Sequence, residues 1–195
     1  MDGASGGLLR RRLEEARDHL DRFLADPATV PAMDAIAGAI VQSFERGGKL
    51  LTAGNGGSLA DAMHVAEEFT GRFKRDRRPL PALALADPTH MSCVANDYGF
   101  EHTFSRPVEA LAKPGDVVAL FSTSGESPSI VLAARAAQAN GATVVASLGK
   151  GGGATLPLAD LVLMAPGTTS DRIQELHMLA WHIVIEEVEV RLGLG

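Results

Sequence analysis

His64 and Glu68 stand four positions apart in the stretch GNGGSLADAMHVAEEF, residues 54–69. On a helix that spacing puts both side chains on one face, with about 5 to 6 Å between their Cβ atoms, so both reach one reacting atom or one metal ion. Glu67 points elsewhere. By itself a His-to-Glu pair of this kind is more often a surface contact, but here it follows directly on a glycine-rich turn. Gly54, Gly56 and Gly57 let the backbone turn tightly and approach a ligand, and Ser58 is placed to cap the next helix and leave its N–H groups facing outward. This is an anion-binding arrangement that reads equally as an ordinary strand-to-helix turn. No Gly-Lys-Ser/Thr follows, so it is not a Walker loop, and its spacing is not GxGxxG.

A second loop, LFSTSGESPSI, also follows an apolar run and offers hydroxyls from Ser122, Thr123, Ser124 and Ser127 around Gly125. Pro128 suits the first turn of a helix capped by Ser127. Four hydroxyls and a helix N-terminus can surround one phosphate without a lysine. A Ser/Thr-rich turn that only caps its helix is the alternative, but two such loops in one small domain favour phosphate.

These loops need strands to present them. GGKLLTAG, PALALAD at 81–87, DVVALFST at 116–123, ATVVASLG at 142–149 and DLVLMAP at 160–166 are short apolar runs separated by helical stretches, among them 58–74. The alternation predicts an α/β fold with a doubly wound parallel sheet of about five strands, flanking helices, and ligand loops at the strands' C-terminal ends. Apolar residues at helical spacing predict two leading helices over 8–25 and 31–46, and a long last helix covers 171–192.

Composition narrows the function classes. With 195 residues, 46% of them hydrophobic, the chain can bury one sizeable core. A net charge of −6 argues against a general nucleic-acid binder, whose contacts to phosphate backbones need Lys and Arg. The five cations of GRFKRDRRP at 71–79 read as a solvated basic segment, with Arg72 alone as a possible substrate contact. Cys93 is the only cysteine, which excludes an intrachain disulfide and points to the cytosol. No apolar run has the length of a membrane span.

GNGGSLADAMHVAEEF, SCVANDYGF, FSTSGESPS and SDRIQELHMLAWHIVIEEVE, in this order and spacing from about residue 48 to 190, resemble the sugar isomerase (SIS) domain family, and within it the bacterial phosphoheptose isomerases. The resemblance implies a single SIS domain over 48–195, with residues 1–47 as helices for oligomerisation. It implies a cytoplasmic homotetramer that converts sedoheptulose 7-phosphate to D-glycero-D-manno-heptose 7-phosphate and holds the phosphate in the serine-rich loop. It makes His64, Glu68, Gln174 and His182 ligands of a zinc ion found in some members, and assigns proton transfer to Glu68 and His182. Substrate contacts are implied for Asn55, Gly56, Gly57, Ser58, Glu68, Asn96, Asp97, Ser122, Thr123, Ser124, Ser127 and Gln174.

Several of these residues also have plainer readings. NDYG suits an Asx-type turn before Gly99, His177 suits a hydrogen-bonded histidine at the core's edge, and Asp171 suits a cap for the last helix. Glu126 departs from the Asn or Lys associated with its position, and a carboxylate beside a phosphate repels it unless turned to solvent. SIS relatives also include non-catalytic sugar-phosphate sensors and modules associated with a replication initiator. Those latter modules look depleted at the positions of Glu68 and His182, so the presence of both here favours an enzyme.

Overall fold

In the computed structural model, which describes residues 4–195, two helices lead the chain: α1 over Ala4–Ala25 and α2 over Thr29–Glu45. Between them Asp26 turns the chain, its side chain accepting from the Ala28 N–H at 2.9 Å. Then β1 (Leu50–Gly54), α3 (Gly57–Thr70), β2 (Ala82–Ala84), α4 (Pro88–Tyr98), α5 (Ser105–Leu111), β3 (Val117–Ser122), α6 (Pro128–Ala139), β4 (Thr143–Leu148), β5 (Leu161–Met164) and α7 (Ser170–Arg191) follow. Short 3₁₀ turns cover Phe100–His102 and Gly153–Leu158.

All strand pairs are parallel, in the order β2-β1-β3-β4-β5. This is the expected doubly wound sheet, and its strand order reverses between β1 and β3. There the loops after the two strands part to opposite faces and leave a crevice at their C-terminal ends.

Successive strand residues face opposite ways, so the sheet divides two cores. Leu50, Val117, Ala119 and Phe121 pack with α2, α3 and α7, around Ile36, Ile40, Phe69 and Trp181. Leu51, Val118 and Leu120 pack with α5 and α6, around Phe104, Val108 and Ile130. The second leading helix is therefore built into the main core through Ile36, Ala37, Ile40 and Phe44. Among the described residues no single helix is long and apolar enough to cross a membrane.

Two local expectations change. The helix expected over 58–74 stops at Thr70, because Arg77 folds back and takes up the carbonyls of Glu68, Phe69 and Gly71. Asn96 and Asp97 lie in the last turn of α4, not in an Asx turn. The Asp87 carboxylate caps this helix, accepting from the His90 N–H at 2.6 Å, and Pro88 occupies its first turn.

Candidate active site

The two ligand loops meet at the crevice. In the first, Gly56 takes the cap position of α3 at φ 55°, and Ser58 makes no capping bond. Instead Ser58 is buried and accepts from Gln174 Nε2 at 3.3 Å, which brings the start of α7 onto the turn. Glycine at position 57 leaves room for this contact, since a Cβ there would lie 2.7 Å from Gln174 Nε2. In the second loop Ser122 Oγ accepts from the Gly125 N–H at 2.9 Å, and Ser124 Oγ from the Glu126 N–H at 3.2 Å. Gly125, at φ 67°, packs against the next turn so closely that a Cβ would sit 1.9 Å from the Gly152 carbonyl oxygen. Thr155 braces the same peptide, donating to the Gly125 carbonyl through its hydroxyl at 2.7 Å. Ser127 does stand at the cap of α6, followed by Pro128, but its hydroxyl makes no capping bond.

Asn55, Ser58, Ser122, Thr123, Ser124, Ser127, Ser170 and Gln174 line a pocket of about 170 Å³. Three helices, α3, α6 and α7, begin at its wall, so their N-terminal half-charges favour an anion there. No lysine or arginine is among the described residues lining it. Asn55 donates to Ser129 Oγ at 2.9 Å, and its Oδ1 is buried without a partner, ready for a ligand donor. Glu126 is exposed and outside the lining, so its carboxylate does not oppose an anion in the pocket. A wider cleft of about 400 Å³ shares Asn55 and Ser127 with this pocket and extends past Leu59, Met91 and Phe100.

Further along α3, His64 Nε2 lies 3.1 Å from Glu68 Oε1. From α7, His182 Nε2 comes within 3.5 Å of His64 Nε2, and the three ligand atoms lie within 4.8 Å of one another. Bonds of 2.0 to 2.1 Å at tetrahedral angles place neighbouring zinc donors about 3.3 Å apart. The observed separations bracket that value, and two imidazoles with one carboxylate suit the ion. Gln174, eight residues before His182 on α7, lines the serine pocket. Phe73 stacks on His182 with ring centroids 5.6 Å apart, fixing the imidazole plane.

Other residues separate from the site. His177 is fully buried and its Nε2 lies 3.1 Å from the Leu148 carbonyl. That oxygen only accepts, so Nε2 carries the proton, and burial pulls the ring's pKa down to about 4. Asn96 and Asp97 are exposed on α4 and bonded to each other at 2.7 Å, apart from the serine pocket of the same chain. Thr169, not Asp171, takes the cap position of α7; Asp171 is exposed in the first turn, held below its ordinary range by the Thr169 hydroxyl and then by the Arg172 N–H. The basic segment is not simply solvated: Arg72 is exposed, but the Arg77 side chain is only 2% exposed and bonds Glu189 at 2.7 Å.

Four neighbours of the site escaped the sequence reading. Ser170 meets Thr123, hydroxyl to hydroxyl, at 3.0 Å, and the TTSD run before the last helix was its signal. Asp61 precedes His64 by one turn on α3, a spacing visible in the sequence. Burial raises its carboxyl to about 6 against the opposing pull of His64, and its Oδ2 has no partner. Ser129 and Phe73 carry no local signal.

The SIS domain family model matches residues 13–149. The phosphoheptose isomerase of Fusobacterium nucleatum is 47% identical over 170 residues, 87% of this chain and 88% of that protein. That of Vibrio cholerae is 46% identical over 187 residues, 95% of this chain and 98% of that protein. Among solved structures, the phosphoheptose isomerase of Neisseria gonorrhoeae superposes with a TM-score of 0.90 at 32% identity, covering 96% of this chain and all of that one. Near-half identity over almost the whole length, together with the fold, leaves one assignment: the chain belongs to the SIS domain family, in its phosphoheptose isomerase branch.

Proposed function

We propose that the chain interconverts sedoheptulose 7-phosphate and D-glycero-D-manno-heptose 7-phosphate, an aldose-ketose isomerisation. The observation that carries this is the placing of two sites along one helix. The serine pocket lies at the start of α3, and His64 follows Gly57 by seven residues, about 10 Å of helix. A sugar phosphate stretched along that path has its phosphate on the hydroxyls and its carbonyl carbons at the His64, Glu68 and His182 cluster.

Glu68 removes the proton from C1 of the ketose while His182 protonates the C2 oxygen, giving an enediol. The proton then returns to C2, the C1 hydroxyl gives up its proton, and the aldehyde forms at C1. His64, Glu68, Gln174 and His182 would hold a labile zinc ion that leaves Glu68 and His182 free to move protons, and which when bound would supply stabilisation of negative charge on the sugar oxygens. Gln174 also serves the substrate side, with Asn55, Gly56, Gly57 and Ser58. Ser122, Thr123, Ser124 and Ser127 hold the phosphate, and Asn96 and Asp97 bind sugar hydroxyls at the open side.

The assembly is a homotetramer. Supporting it, Leu20, Leu24, Val30 and Ile183 are exposed around an apolar groove of about 480 Å³ between α1, α2 and α7, a surface that suits self-association. Light scattering that finds a fully active monomer would refute this. The single cysteine and the phosphorylated substrate suit the cytoplasm. Incubation with sedoheptulose 7-phosphate, followed by NMR, tests the reaction: the aldose phosphate should accumulate to equilibrium. Tight binding without turnover by zinc-loaded protein would favour a sugar-phosphate sensor instead.

A further inference from the structure

The segment after α3 ties the two helices of the cluster together, and its centre is a buried charge with no place in the chemistry above. Arg77 donates from Nη2 to the Glu68 carbonyl at 2.7 Å, and from Nη1 to the carbonyls of Phe69 at 2.8 Å and Gly71 at 2.9 Å. Its Nε donates to Glu189 Oε1 at 2.7 Å, and the two side chains are 2% and 3% exposed. One guanidinium therefore holds the backbone of Glu68 and a carboxylate on α7.

Glu189 follows His182 by seven residues, two helical turns, so the two share a face of α7. Glu186 lies between them on the same face and receives Lys74 at 2.7 Å, while Phe73 stacks on His182 itself. Residues 73, 74 and 77 thus grip α7 at three successive positions of the face that carries His182.

We infer that Arg77 is a positioning residue for the isomerisation: with Glu189 it sets the separation of α3 and α7 so that Glu68 and His182 meet across the reacting carbons. The inference rests on the assignment of Glu68 and His182 as the working pair. A buried arginine must be fully paired to be tolerated, and its planar fork fixes the angles between its acceptors where a lysine ammonium would not. A displacement of about 1 Å at reacting groups costs on the order of 10²-fold in rate. The serine pocket, at the other end of α3, is left intact.

The test compares Arg77→Lys and the isosteric Glu189→Gln with Lys49→Met. Lys49 pairs with the buried Asp116 at the opposite end of the sheet and reports lost stability alone. For sedoheptulose 7-phosphate, kcat should fall at least tenfold in the two strap variants with KM within about twofold, and stay near wild type in Lys49→Met. Cobalt(II) titration of metal-free protein should show weaker binding in the strap variants only, and the nuclear Overhauser contact between the His64 and His182 rings should weaken with it. If Arg77→Lys does not fold, Glu189→Gln decides. Wild-type kcat, cobalt affinity and ring contact in a strap variant that merely melts earlier would overturn the inference. If wild-type protein does not turn over the sugar phosphate, the assigned reaction fails, and the ring contact still decides whether Arg77 sets the cluster.

Discussion

Acidification should unfold the protein in part through one residue that the chemistry does not use. His177 is buried as the neutral ring, with Nε2–H on the Leu148 carbonyl and Nδ1 without a partner. A second proton on Nδ1 would have no acceptor, and burial lowers the pKa from 6.5 to about 4 against the opposing Leu148 bond. The unfolded chain therefore binds the proton first. Stability from this residue is complete above the unfolded pKa of 6.5 and is lost as pH falls toward the folded value. At 1.36 kcal/mol per pKa unit the loss is about 3 kcal/mol. Urea unfolding of wild type and His177→Gln at fixed protein concentration, in steps from pH 7.5 to 4, measures it. Glutamine keeps a donor for Leu148 but does not titrate, so the wild-type advantage should shrink by about 3 kcal/mol over that range. Parallel loss of stability in the two proteins would refute the burial argument.

Asp61 should act with the opposite sign: its raised folded pKa of about 6 means stability is lost as pH rises through that value, so Asp61→Asn should gain on wild type between pH 4 and 7 in the same assay. Glu68→Gln should lower turnover by about 10² to 10⁴ with folding and sugar-phosphate binding retained. Saturating zinc should fail to restore it, whereas recovery would make Glu68 a ligand and not the base. Ser124→Ala should weaken binding by about 5- to 30-fold, one hydrogen bond to a charged acceptor of about 1 to 2 kcal/mol, and unphosphorylated sedoheptulose should be a poor substrate for wild type. Equal efficiency with and without the phosphate would rule out the serine pocket's role.

The sheet was legible because parallel strands covered on both faces read as unbroken apolar runs, and LLTAG and VVALFS are buried throughout. The end of α3 was less so, since the apolar pattern runs on to Phe73 past Gly71, which takes the cap position at a φ of −82° open to any residue. What stops it is Arg77, whose partner Glu189 is 112 residues away. The turn reading of NDYG failed for a related reason. Asx chemistry and the last turn of a helix before glycine use the same residues, and Asp87 and Pro88, nine and eight positions before Asn96, start the helix that decides between them.

Spacing found the part of the site that one helix determines, His64 with Glu68, and the serine loop that one strand end presents. It could not bring His182 to His64, 118 residues away, nor Gln174 onto Ser58, because both depend on how α7 crosses α3. Charge counting misled in two places at once. The most basic stretch of the chain sends Arg77 inward to hold helix ends, and the pocket that suits an anion has no lysine or arginine among its described lining residues. Helix N-termini and hydroxyls replace them, and these do not appear in a net charge of −6. A binding site made of backbone dipoles becomes visible only through the residues that let the backbone come close, which is why Gly57 and Gly125 pointed to it when the charged residues did not.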